Sequence, residues 1–174
     1  ETLWRIVGSE NALFWMAMHP DKVGAAVEKI NSFAVEFAEA QILASGGKLD
    51  GMIIWGDVAH NGGMFFSPDY WRRYFKPGVR RVVDTCHSRG IPVIYHGCGN
   101  VMEIFEDFIE IGVDAYNPLQ VNAGMDALDL KSMYGDKIAL SGNMDVGKWA
   151  DADPHELKTI VLTKLNAGRG GGYI

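Results

Sequence analysis

Apolar positions along the chain fall into two alternating patterns. Between residues 19 and 46, apolar side chains recur every three or four positions, which predicts one long amphipathic helix. Residues 51–55 are apolar without interruption, which is typical of a buried strand in a parallel sheet. The succession then repeats, and it predicts helices at 67–89, 100–112, 126–134 and 153–167 and strands at 91–96, 113–117, 137–141 and 170–174.

Proline, serine and glycine mark where several of these elements begin or end. Ser67 and Pro68 form a favourable N-cap and first-turn pair for the helix at 67–89. We expect that helix to bend at Pro77, because proline lacks the backbone N–H that a helix needs. Residues 56–66, between the first strand and this helix, are polar and contain glycine, so they are expected to form a loop.

Strands that alternate with helices indicate a parallel sheet with crossover connections, which is an α/β fold. Two architectures have this pattern: an open doubly wound sheet and part of a TIM (β/α)8 barrel. A complete barrel needs about 250 residues, whereas this chain has 174 and about five predicted strands. The pattern alone leaves both architectures open.

Composition and charge exclude several classes of protein. Hydrophobic residues make up 48% of the chain and charged residues 22%, which is enough apolar material for a core and argues against disorder. The net charge of −6 argues against a nucleic-acid-binding protein. No apolar run reaches the length of a membrane span. Two cysteines in 174 residues do not form a disulfide scaffold, so we expect a cytoplasmic location.

Polar residues follow each of the first four predicted strands. In both candidate architectures, ligands bind at the carboxyl ends of the strands, so these residues are expected to line one mouth. They are Asp57, His60, His96, Cys98, Asn100, Asn117, Gln120, Ser141, Asn143 and Asp145.

His96 and Cys98 carry the most specific signal, because a histidine and a cysteine two residues apart offer the nitrogen and sulfur ligands that zinc prefers. A catalytic zinc usually needs a third protein ligand. That ligand would be Asp57, His60 or Asp145, or a residue beyond the end of the chain. The alternatives are a hydrogen-bonded histidine beside a small buried cysteine, and a cysteine nucleophile activated by His96.

Asp57 directly follows a predicted buried strand. A carboxylate partly withdrawn from water is suited to acid–base catalysis. It is equally suited to bonding the backbone N–H groups of a loop. Both interpretations remain open from the sequence.

Eight short motifs in order cover nearly the whole chain, and together they resemble the uroporphyrinogen decarboxylase superfamily. They are Gly56-Asp57, Ser67-Pro68-Asp69-Tyr70-Trp71-Arg72, Lys76-Pro77, His87-Ser88-Arg89-Gly90, His96-Gly97-Cys98-Gly99-Asn100, Ile111-Gly112-Val113-Asp114, Asn117-Pro118-Leu119-Gln120 and Gly142-Asn143-Met144-Asp145. The resemblance implies a (β/α)8 barrel of which this chain supplies the later strands. Residues 1–174 are therefore expected to form a single, apparently truncated domain.

The superfamily resembled here contains two chemistries. Its decarboxylases act on a tetrapyrrole without cofactor or metal, and have a serine near the position of Asp57. Its methyltransferases transfer a methyl group from a corrinoid to a thiol at a zinc site, whose first two ligands match His96 and Cys98. A further cysteine ligand of that branch would lie beyond Ile174. The resemblance thus favours a methyltransferase-like member, with uroporphyrinogen decarboxylase as the alternative.

Most residues of the mouth have an expected role. His96 and Cys98 are expected to bind the metal, and Asp57 and Asp145 to be catalytic. The residues expected to bind substrate are His60, Asn100, Asn117, Gln120 and Asn143. The expected partner is a small-molecule substrate or a corrinoid protein. A half barrel also exposes two sheet edges, so a homodimer, or an inactive fragment that only self-associates, is a further possibility.

Overall fold

The computed structural model describes residues 2–149 and 151–174. It begins with three helices, α1 (Thr2–Val7), α2 (Ser9–Met18) and α3 (Pro20–Ala44). The sequence pattern predicted α3 and missed α1 and α2. The first two helices pack on the N-terminal half of α3 and form a second, small apolar cluster with it. Within the described residues, no helix combines the length and apolar character needed to cross a membrane.

The segment after α3 contains more structure than predicted. It runs through β1 (Met52–Trp55) into a small antiparallel hairpin of β2 (Ala59–His60) and β3 (Gly63–Met64). The prediction of a plain loop at 56–66 is therefore wrong. Two strands of two residues each are too short to produce a periodic pattern, which is why the sequence did not reveal them.

The helix predicted at 67–89 is divided into three parts. Ser67 accepts a hydrogen bond from the backbone N–H of Tyr70 and caps α4 (Pro68–Tyr70), as predicted. A π-helical stretch follows over Trp71–Phe75, before α5 (Lys76–His87). The π-helical stretch ends just before Lys76 and Pro77, and Pro77 has no backbone N–H to donate to a regular helix.

The remaining elements alternate as predicted, with one addition, the short helix α8. In chain order they are β4 (Val93–His96), a 3-10 turn at Met102–Ile104, α6 (Phe105–Ile111), β5 (Ala115–Asn117), a second 3-10 turn at Val121–Ala123, α7 (Ala127–Tyr134), β6 (Ala139–Leu140), α8 (Val146–Trp149) and α9 (Pro154–Ala167).

Strands β1, β4, β5 and β6 form one parallel sheet in that order. Each strand lies beside the next one along the chain, with helices in the connections, so the fold is α/β and consistent with part of a TIM barrel. The predicted strand at 170–174 is reduced to a single parallel bridge between Leu140 and Tyr173.

One face of the sheet is covered by helices and forms the main core. Val93, Tyr95 and Tyr116 are at most 2% exposed on that face. The rings of Tyr95 and Tyr116 lie 4.5 and 5.1 Å from the ring of Phe108 on α6. Side chains alternate along a strand, so His96 and Asn117 lie on the opposite face.

The strand at 51–55 is less buried than its sequence predicts. β1 is an edge strand in the described part of the chain, and Ile53 and Trp55 are 54% and 64% exposed. An uninterrupted apolar pattern reports that a strand is suited to burial on both faces. It does not show whether another part of the protein covers each of those faces.

Asp107 on α6 is the centre of an ion-pair network. The network joins α6 to the π-helical stretch at Trp71–Phe75 and to the beginning of α5. Its side chain is 7% exposed, and it lies 2.9 Å from Arg72 and 2.7 Å from Lys76. Lys76 also contacts Glu110 at 2.6 Å. Burial acts to raise the pKa of Asp107, but the hydrogen bonds from Arg72 and Lys76 outweigh it, so the pKa is lowered. Arg72 and Lys76, which belong to the motifs quoted at 67–72 and 76–77, therefore stabilise helix packing.

Replacing Asp107 with asparagine is expected to lower the free energy of unfolding by about 2 kcal/mol, because Arg72 and Lys76 both lose their most buried charged partner. Denaturant titration measures this value. The matched control is Asp69→Asn, which removes a carboxylate that is 95% exposed and 3.5 Å from the same Arg72. The control is expected to cost less than about 0.5 kcal/mol.

The effect of Asp107→Asn is also expected to depend on pH. Because the folded protein lowers the pKa of Asp107, its contribution is complete above the unfolded-state value of about 3.9. It is lost as the pH falls below that value towards the lower pKa of the folded state. Equal destabilisation at neutral and strongly acidic pH would contradict this assignment.

Candidate metal centre

Three side chains with different ligand atoms converge at the carboxyl ends of β1 and β4. One ligand atom from each of Asp57, His96 and Cys98 lies within 4.8 Å of the other two, and all three residues are half-buried. His96 Nε2 is 3.9 Å from Cys98 Sγ. Of the three residues named from the sequence as a possible third ligand, Asp57 is the one that joins this group.

Asp57 also stabilises the turn that carries the cysteine. Its Oδ1 accepts a hydrogen bond of 2.8 Å from the backbone N–H of Cys98. Its own carbonyl accepts a longer bond, 3.4 Å, from the indole N–H of Trp4 on α1. A carboxylate has two oxygens, so Asp57 can hold the turn through one of them and face the cluster with the other.

The turn after β4 is held tightly against the hairpin by Gly99. This glycine has a φ of +88°, and a Cβ atom there would lie 2.5 Å from the carbonyl carbon of Ala59. The backbone N–H of Asn100 donates to the carbonyl of His60 at 2.8 Å. The position of Cys98 therefore depends on a close backbone approach that only glycine allows.

Two buried tyrosine hydroxyls support the backbone beside the ligands. Tyr95 donates to the carbonyl of Gly56 and Tyr116 to that of Gly97, both at 2.8 Å. Burial raises the pKa of Tyr116 well above its usual value, so the phenol remains a proton donor. Sequence reasoning missed these two residues. The available signal was a tyrosine within each predicted buried strand, because a buried phenol requires a hydrogen-bond partner.

Three residues predicted to bind substrate also have structural contacts near the mouth. Gln120 accepts from the N–H of Gly99 at 2.8 Å and donates to Asn61 at 2.8 Å. Asn100 accepts from the N–H of Met102, where the 3-10 turn begins. His60 is exposed, and its Nδ1 accepts from the N–H of Gly62 at 3.1 Å.

Asn143 and Asp145 lie apart from the three-ligand group. Asn143 is 1% exposed, and its amide bonds the backbone of Ala127, Leu119 and Met125, so it supports a loop from within. Asp145 accepts from the N–H of Gly147 at 3.1 Å, at the beginning of α8. The structure thus brings Asp57, but not Asp145, to the cluster.

Asn117 and Trp55 are the neighbours of the His96 ring. Asn117 Oδ1 is 2.6 Å from His96 Nδ1. The ring of Trp55 stacks on the imidazole, with 4.4 Å between the centroids. The three residues are paired across β1, β4 and β5.

Comparison with known proteins agrees with this architecture. The sequence profile of the uroporphyrinogen decarboxylase (URO-D) family matches residues 2–174. The chain belongs to this family.

Individual relatives and a solved structure are similar over most of the chain. Uroporphyrinogen decarboxylase of Geobacter sp. (strain M21) is 30% identical over 90% of the chain, and that of Pelobacter propionicus is 26% identical over 72%. The matched regions are 43% and 34% of those two proteins, so the chain spans less than half their length. A methyltransferase from Methanosarcina mazei shares the fold, with a TM-score of 0.63 and 22% identity over 79% of this chain and 38% of that one.

The Gly99→Ala variant is expected to lose stability for two reasons, the positive φ and the contact with the backbone of Ala59. Gly90→Ala is the matched control, because Gly90 has a φ of +71° and nothing within 4 Å of an added Cβ. The control is expected to cost about 1–2 kcal/mol, for the left-handed backbone alone. Gly99→Ala is expected to cost about 2 kcal/mol more. Equal free energies of unfolding for the two variants would contradict the tight packing of this turn.

Proposed function

We propose that the protein is a zinc-dependent methyltransferase that transfers a methyl group from a corrinoid to a thiol. The observation that carries this proposal is the group of Asp57, His96 and Cys98, whose ligand atoms lie within 4.8 Å of one another. A mixed set of nitrogen, sulfur and carboxylate oxygen is characteristic of zinc sites. Three protein ligands leave one position of a tetrahedral site for substrate, as catalytic zinc sites do.

The distances between these side chains are compatible with zinc. A nitrogen and a sulfur bound to one tetrahedral zinc lie roughly 3.6 Å apart, given bond lengths of about 2.0 and 2.3 Å. His96 Nε2 and Cys98 Sγ are 3.9 Å apart, so a small side-chain movement is sufficient. Zinc bound there supplies Lewis acidity that favours the thiolate form of a thiol substrate.

The residues of the chain have separate tasks in this reaction. His96 Nε2, Cys98 Sγ and a carboxylate oxygen of Asp57 would hold the metal, while Asp57 Oδ1 keeps the Cys98 turn in place. The substrate thiol loses its proton to water. A bound methyl-corrinoid would supply the methyl group that this sulfur accepts, and would keep the electron pair of the broken carbon–cobalt bond.

Decarboxylation of uroporphyrinogen is the second candidate function, because the relatives named above are uroporphyrinogen decarboxylases. In that reaction Asp57 and the neighbouring polar residues of the mouth would hold the tetrapyrrole by hydrogen bonds. The two functions differ in their need for metal. They are therefore distinguished by metal content and by substrate.

The purified full-length protein is expected to retain about one equivalent of Zn²⁺ per chain, measured by mass spectrometry of the metal. His96→Ala and Cys98→Ser are expected to lose most of it. Cys86→Ala is the matched control, because Cys86 is the other free cysteine and is buried in α5, away from the cluster. With Co²⁺ in place of zinc, Cys98→Ser is expected to lose the thiolate charge-transfer band that Cys86→Ala retains. Protein that binds neither metal would overturn the zinc proposal.

Methyl transfer is expected from methylcobalamin to 2-mercaptoethanesulfonate, monitored by the absorbance of the corrinoid and by the mass of the thioether. Cys98→Ser is expected to reduce the rate by about 100-fold or more, because a ligand is lost. Turnover of uroporphyrinogen by the wild type, unaffected by chelation or by Cys98→Ser, would favour the decarboxylase instead.

A further inference from the structure

The hydrogen bond between His96 and Asn117 determines which ring nitrogen of His96 carries the proton. Asn117 Oδ1 is a carbonyl oxygen and can only accept. It lies 2.6 Å from His96 Nδ1, and this placement of the amide oxygen pairs with a proton on Nδ1. In neutral imidazole the other nitrogen, Nε2, then has a free lone pair.

Ser141 orients the amide of Asn117. The Nδ2 group of Asn117 donates to Ser141 Oγ at 3.1 Å, and in this orientation of the amide Oδ1 faces His96. The backbone of all three residues is fixed by the sheet, because the N–H of Gly97 donates to the carbonyl of Asn117 and that of Ser141 to the carbonyl of Tyr116, both at 2.9 Å. The hydrogen-bonded chain from Ser141 through Asn117 to His96 therefore crosses the ends of β6, β5 and β4.

Trp55 restricts the same imidazole from another direction. Its ring is within 24° of parallel to the His96 ring at 4.4 Å, and the two residues are paired across β1 and β4. The stack limits rotation out of the plane, and the hydrogen bond to Asn117 limits rotation within it. With both in place, Nε2 is the ring nitrogen on the side of Cys98 Sγ, 3.9 Å away.

We propose that Asn117, oriented by Ser141, is a positioning residue that holds His96 in the Nδ1–H tautomer, with the lone pair of Nε2 directed to Cys98. This assigns Asn117 a role different from the substrate contact expected from the sequence. Ligand histidines are commonly oriented in this way by a carbonyl or carboxylate partner. The role towards a metal rests on the proposed function, whereas the tautomer rests on the hydrogen bond alone.

Nitrogen NMR of metal-free protein with ¹⁵N-labelled histidine tests the tautomer directly, at a pH where the His96 ring is neutral. A His96→Gln sample assigns the resonances. The expected result is a protonated, pyrrole-type Nδ1 and an unprotonated, pyridine-type Nε2. The opposite pattern in the wild type would overturn the proposal. This readout involves neither metal nor catalysis, so it remains decisive if the methyltransferase proposal fails.

Two substitutions separate positioning from mere packing. Asn117→Leu removes the acceptor, and the Nδ1–H pattern of His96 is expected to be lost. Asn117→Asp keeps an acceptor and is expected to preserve it. Asn122→Leu is the matched control at an exposed site, and the His96 signals are expected to be unchanged there. An unaltered His96 spectrum in folded Asn117→Leu would overturn the proposal. If that variant does not fold, the proposal is overturned by loss of the Nδ1–H pattern in Asn117→Asp.

Zinc affinity provides an independent readout through competition with a chelator. Asn117→Leu is expected to weaken binding by about 10- to 100-fold, the usual effect of losing such a partner. Asn117→Asp is expected to restore the affinity to within a few-fold of the wild type. Equal affinities for Asn117→Leu and Asn122→Leu would contradict the positioning role.

Discussion

The register of the parallel sheet is the constraint on which the candidate site depends. It places Trp55, His96 and Asn117 at one level of β1, β4 and β5. Side chains alternate between the faces of a strand, so a shift of one residue would turn His96 towards the helices and Tyr95 towards the mouth. Burial of Tyr95 and Tyr116 against α6 prevents that shift. The aromatic core thus determines which polar side chains face the site.

The same core residues also reach the site through their polar ends. The hydroxyls of Tyr95 and Tyr116 hold the carbonyls of Gly56 and Gly97, each of which directly precedes a proposed ligand. Gly99 completes this support, because its lack of a side chain lets the turn approach the hairpin. The positions of the proposed ligands therefore depend on backbone contacts that do not require a metal. Such preorganisation lowers the entropic cost of ordering the ligands when a metal binds.

The sequence predicted most of the sheet, because hydrophobic periodicity locates strands. It also named His96 and Cys98 as a metal-binding pair, with Asp57 as one of several candidates for a third ligand, because ligands gather at strand ends. It did not predict the direction of individual polar side chains. Asn117 and Asn143 both follow predicted strands, yet one bonds His96 and the other is buried among backbone groups. Their directions follow from register and from loop packing between distant segments, which a local pattern does not contain. The exposure of Ile53 and Trp55 was missed for a similar reason, since a local pattern does not show whether another element covers that face of the sheet.

The proposed metal ligands and the surface that would select a substrate have different structural requirements. Asp57, His96 and Cys98 come from the loops after two adjacent strands, and their arrangement depends on contacts within residues that the structure describes. On the same face of the sheet, Ile53 and Trp55 of β1 are 54% and 64% exposed. The chain also spans only 43% of the Geobacter relative. The proposed ligand set is therefore a local feature of two adjacent strand ends, whereas these three residues do not by themselves distinguish a thiol from a tetrapyrrole as substrate.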